Sequence, residues 1–142
     1  MNGWLPLALR SAGVLQLVVA AANPRVVRVL EFRANLRTAT PIFRHVFWGV
    51  YSWVLATVVG FGVLDLAFAE SLAGAAPLGR ALAALLALLW TWRLSLQLFV
   101  YDADVRRRHR AADLAFTLFF VWVASVHAVA AVVAPLAAGG AR

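Results

Sequence analysis

The chain has 142 residues, 64% hydrophobic and 13% charged, with a formal net charge of +7 at pH 7. A soluble domain is about one quarter charged, so a water-filled surround could not accommodate this much apolar surface, and lipid must act as part of the solvent. The lack of cysteine excludes disulfides, thiol nucleophiles and cysteine-ligated zinc or iron–sulfur clusters.

A membrane helix needs about 20 mainly apolar residues, and four segments meet or approach that length. The first, residues 4–22, is interrupted by Pro6, Arg10 and Gln16. Its apolar run followed by Ala20, Ala21 and Ala22 could also be a cleaved leader. The absence of a basic start, and the arginines that follow, favour an uncleaved span. Residues 24–37, "PRVVRVLEFRANLR", read as a kinked helical extension of that span, with Pro24 suited to a first helical turn. The second span covers residues 45–69, the third 77–101 and the fourth 113–138. Backbone groups must be paired in hydrocarbon, so each span is expected to be helical. The expected fold is all-α: a single integral membrane domain, residues 1–142, forming an up-and-down bundle of four transmembrane helices. Ala56 and Gly60, and Ala83 and Ala87, stand four apart and are candidate points of close helix approach. Trp4 marks one interface, and Phe47, Trp48 and Tyr101 mark the other.

The connecting segments set the orientation. Residues 23–44 carry Arg25, Arg28, Arg33, Arg37 and Arg44, and residues 102–112 carry Arg106, Arg107, Arg108 and Arg110. The opposite side offers only Arg80 and Arg142. Short arginine-rich loops stay cytoplasmic, which places loops 23–44 and 102–112 inside and both termini outside, in a bacterial inner (cytoplasmic) membrane. Arg25, Arg28, Arg37, Arg106, Arg107, Arg108 and Arg110 are the expected contacts to anionic lipid headgroups, each worth about 1 kcal/mol near the surface. Lipid and a homo- or hetero-oligomeric partner are expected, and nucleic acid is not. Asp102 and Asp104 are expected to pair with neighbouring arginines, and Asp113 to sit at a helix N-terminus, where a carboxylate is favoured.

Ionisable residues at membrane depth are candidates for function. Arg10 is close enough to its end to snorkel outward. Asp65 lies late in the second span, which suggests an interfacial position and a pairing with Arg80. Arg93, Gln97 and Tyr101 follow one helical stripe at i, i+4 and i+8, an arrangement able to hold an anionic ligand or to glue helices together. His127 is expected to be hydrogen-bonded inside the bundle, with a proton relay as the sharper alternative. His45 and His127 differ in depth by roughly 18 Å at 1.5 Å per residue, so they cannot share a haem within one subunit. No metal-ligand spacing, phosphate loop or nucleophile elbow is present, and no particular cofactor is indicated.

The stretches "EFRANLRTATPIF" and "WRLSLQLFVY" resemble the membrane-associated eicosanoid and glutathione metabolism family. Arg33, Asn35, Pro41 and Phe43 follow that family's motif, with Thr38 where the family carries glutamate, and Arg93 and Tyr101 match polar positions of its third helix. The resemblance implies four helices, a trimer, and glutathione bound near the cytoplasmic side by Arg33, Asn35, Arg93 and Tyr101. Three functions are therefore open. The chain could be a non-catalytic accessory or structural subunit acting through helix and lipid contacts. It could be a glutathione-dependent membrane transferase. It could be a small proton-coupled transporter using Asp65, Arg93 and His127.

Overall fold

Hydrocarbon supplies no hydrogen-bond partners to a peptide group, and a helix satisfies its own. The computed structural model describes residues 3–101 and 103–139, and among these every regular element is helical. Four helices are long and apolar enough to cross a membrane. They are α1 (Trp4–Val29), α3 (Pro41–Ala67), α5 (Pro77–Ser95) with its π-helical continuation Leu96–Val100, and α7 (Arg110–Gly139). Three short helices join them: α2 (Phe32–Asn35), α4 (Ala69–Ala73) and α6 (Ala103–Arg108). Asp102 and Arg142 lie outside the described residues.

Local chemistry explains the breaks. α1 runs through Pro24 to Val29, so the extension of the first span is real but shorter than residues 24–37. It ends because Glu31 takes a left-handed conformation, φ 49° and ψ 38°. The Asn35 amide ties that corner by donating to the Leu30 carbonyl at 3.0 Å. α3 then starts on Thr40, whose hydroxyl accepts from the Phe43 N–H, with Pro41 in the first turn where a missing N–H costs nothing. Pro77 opens α5 in the same way.

α1 packs along α3, α5 along α7, and α1 meets α7, joining the two pairs into a four-helix bundle. At one end Leu5, Leu9, Ala69, Leu72, Ala83 and Ala130 form a core under α4. Toward the other end the core is aromatic: Trp90 lies 5.6 Å from Phe119, 5.9 Å from Phe120 and 6.3 Å from Phe61, centroid to centroid. A second aromatic group, Phe32, Phe47, Trp48 and Tyr51, fastens α2 to the start of α3. The Tyr51 hydroxyl also donates to the Asn23 side chain of α1. The remaining surface is apolar, with Trp53, Leu88 and Phe99 70%, 69% and 83% exposed, as a lipid-facing surface requires.

The close approach of α1 and α3 falls at Gly13 and Gly62, not at the expected Ala56 and Gly60. A Cβ on Gly13 would meet the Gly62 carbonyl at 2.8 Å and Asp65 Cβ at 3.0 Å, whereas one on Gly60 would meet nothing within 4 Å. Ala56 and Gly60 are exposed, because the face that α3 turns to α1 is set by Gly62 and Asp65. Ala83 is buried as expected of a contact position, with Ala87 beside it only half-buried. Gly13→Ala should therefore destabilise the bundle by about 1–3 kcal/mol through overpacking. Gly60→Ala should be neutral or stabilise by up to about 1 kcal/mol through helix propensity. Unfolding of the two variants in detergent micelles compares them directly.

Candidate functional site

Three fully buried polar side chains meet just below the Gly13–Gly62 crossing: Gln16 of α1, Asp65 of α3 and His127 of α7. The Gln16 Nε2 donates to Asp65 Oδ2 at 2.6 Å. His127 Nε2 stands 3.0 Å from Asp65 Oδ1, and its Nδ1 stands 2.8 Å from the Val123 carbonyl one helical turn earlier. The small glycine surfaces allow α1 and α3 to approach until the amide reaches the carboxylate. Gln16 Oε1 is buried and has no partner among the described residues.

Asp65 is fully buried and takes partners other than the expected Arg80. It lies two residues from the end of α3, and the chain then turns into α4, whose Ala69 and Leu72 are buried. Gln16 lies 12 residues into α1, and His127 lies 12 residues before the end of α7. At 1.5 Å per residue that is about 18 Å from those helix ends, near the midpoints of α1 and α7. Asp65 is not paired with Arg80, whose Nε is buried without a partner among the described residues. Arg10 pairs instead with Glu70 of α4, at 3.3 Å and exposed, which suits a side chain reaching out of the bundle.

The expected stripe of Arg93, Gln97 and Tyr101 is split. The π-helical turn Leu96–Val100 bonds i to i+5 and removes the i, i+4 alignment. Arg93 donates to the Tyr101 hydroxyl at 3.1 Å and lies 4.5 Å over the Phe120 ring. Gln97 turns the other way and donates to Asp113 Oδ1 at 2.7 Å. The same carboxylate receives the Arg106 Nε at 3.1 and 3.2 Å, and an Arg106 Nη1–H reaches the Leu98 carbonyl at 3.2 Å. Arg106 is thus committed to closing the π-helical turn against α7 and is not free for headgroups. No sequence signal marks this latch, because the partners are 7 and 16 residues apart and meet only through the turn.

The other arginines at this end remain exposed. Arg33, Arg37 and Arg44 line one open cleft of about 320 Å³ with Leu36 and Trp48. Arg107 and Arg110 line a second, of about 480 Å³, beside Arg106 and Asp113. Arg25, Arg28 and Arg108 are also exposed. Asn35 holds the α1–α2 corner, so its side chain and Arg33 serve different places. Ser52 and Ser95 donate to the carbonyls four residues earlier, as helical hydroxyls do. No group of three or more His, Asp or Glu residues placed to hold a metal occurs among the described residues. Comparison with known proteins returns no match: no family model fits the chain, and no curated protein or solved structure is detectably similar.

Removing one member of a buried ionisable pair strands the other. Asp65→Ala and His127→Ala should each cost about 3–5 kcal/mol. The double variant should cost less than their sum, because the two groups share one interaction. A double-mutant cycle of unfolding in micelles measures the difference, and strict additivity would mean the pair is not coupled.

Proposed function

We propose that the chain is a small integral membrane protein without catalysis of its own, an accessory or structural subunit acting through helix–helix and anionic-lipid contacts. In this reading the arginine-rich end lies on the cytoplasmic side of a bacterial inner membrane and the α4 end lies outside. One contrast supports it. Several polar side chains of the helices are engaged with one another: Gln16 and His127 with Asp65, Gln97 and Arg106 with Asp113, Arg93 with Tyr101. The exposed arginines that line open clefts, Arg33, Arg37 and Arg44 in one and Arg107 and Arg110 in the other, lie at a single end. Phosphate-bearing lipid supplies the negative charge those clefts lack, and nine arginines on one side orient the bundle by the positive-inside rule.

Affinity purification from the native membrane should bring down a partner protein. A chain that purifies alone and monodisperse removes the subunit reading. In reconstituted bilayers, changing Arg33, Arg37 and Arg44 to Gln should reduce the preference for phosphatidylglycerol over phosphatidylcholine by about fivefold per arginine at low salt. Competition between spin-labelled lipids reads this out, and an unchanged preference counts against the cleft.

A second reading, a proton-coupled carrier, draws on the burial of two titratable side chains at mid-bundle. Asp65→Asn should then abolish pH-driven solute flux in liposomes while the protein still folds. The glutathione-dependent transferase reading rests on Arg33, Asn35, Arg93 and Tyr101. Calorimetric titration of the purified protein with glutathione tests it: no heat and no protection from unfolding would remove it.

A further inference from the structure

The hydrogen-bond partners of His127 fix a proton count that the sequence does not reveal. We infer that Asp65 and His127 bind one proton between them, as a net-neutral pair inside the bundle, held on the bond between His127 Nε2 and Asp65 Oδ1. The Val123 oxygen, 2.8 Å from His127 Nδ1, is a carbonyl and can only accept, so Nδ1 carries a hydrogen. If the ring is otherwise neutral, Nε2 is a bare acceptor facing Asp65 Oδ1 at 3.0 Å. Two acceptors at that distance repel, so Oδ1 must then carry the proton. If Asp65 is instead ionised, Nε2 must carry the proton and the ring is an imidazolium. Either way the pair holds one proton more than a carboxylate and a neutral imidazole would. Either way its net charge is zero, the state that a low-dielectric interior tolerates.

Gln16 determines which oxygen shares that proton. Its Nε2 donates to Oδ2 at 2.6 Å, so Oδ2 is an acceptor and the proton is confined to the Oδ1 side. A second proton, on Oδ2, would displace the Gln16 amide and leave an uncompensated positive charge. Among the described residues, no other charged side chain makes an ion pair with Asp65 or His127. Arg10 of α1 and Glu70 of α4 pair with each other at 3.3 Å, and Arg80 on the first turn of α5 makes no ion pair with Asp65. The site therefore joins α1, α3 and α7 through a bound proton. The inference rests on hydrogen-bond geometry alone, so its failure leaves the reading of the exposed arginines untouched.

Nitrogen-15 NMR of the histidine-labelled full chain in micelles at neutral pH tests it, with His127→Gln assigning the His127 signals. Infrared spectra of the wild type and of Asp65→Asn show whether Asp65 contributes a protonated-carboxyl band. Two results support the inference: a doubly protonated ring without that band, or a ring protonated only at Nδ1 together with it. A neutral ring without the carboxyl band, or a doubly protonated ring with it, would overturn the count of one, and a ring protonated only at Nε2 would overturn the donor assignment on which it is built.

Discussion

A buried polar group deprived of water loses several kcal/mol unless the protein itself supplies a partner. In this bundle that demand is met in two places, and both tie helices together. At mid-bundle, Asp65 accepts from Gln16 of α1 and faces His127 of α7, so one carboxylate links three spans. At the arginine-rich end, Asp113 accepts from Gln97 and Arg106 and fixes the π-helical turn against the start of α7. Apolar packing between helices gives little directional preference in lipid, because the tails are as apolar as leucine. The polar links therefore set which faces meet and in what register.

The mid-bundle site depends on two features that carry no charge. Gly13 and Gly62 let the backbones of α1 and α3 come close enough for the short reach from amide to carboxylate. Helix α4 folds back after α3 and packs Ala69 and Leu72 into the core beside Leu5, Leu9 and Ala83, covering that end of the bundle. Gly79 helps hold that cover in place, since a Cβ there would come within 2.3 Å of the Ser71 carbonyl. Asp65 itself lies at the glycine contact, its Cβ 3.0 Å from where a Cβ on Gly13 would stand.

The arginines divide into two groups with different physical work. Arg93 and Arg106 are consumed inside the protein, one by Tyr101 and the face of Phe120, the other by Asp113 and the Leu98 carbonyl. Arg33, Arg37 and Arg44, with Arg107 and Arg110, line open clefts where a phosphate could be bound from outside. Composition treats all of them alike. Only the pairing pattern distinguishes a structural guanidinium from one available to lipid, and that distinction underlies the proposed division between a sealed interior and a headgroup-binding end.

Four apolar runs, the helical state they require and the arginine asymmetry of their connections are legible in the sequence, because burying a peptide group in lipid permits helices and because charge counts need no geometry. The helix expected from residue 45 starts at Pro41, because Thr40 and Pro41 open its first turn through neighbouring backbone, so the apolar run was legible and its first turn was missed. The pairing of Asp65 was not. Counting residues from the end of a span says nothing of which helices pack against that residue, and Gln16 of α1 and His127 of α7 do. Nor could an ideal helical stripe anticipate that a π-helical turn sends Gln97 to Asp113 while Arg93 stays with Tyr101. Partners 49, 62 and 16 residues apart are chosen by helix depth and rotation. Depth and rotation are properties of packed helices, and no local pattern encodes them.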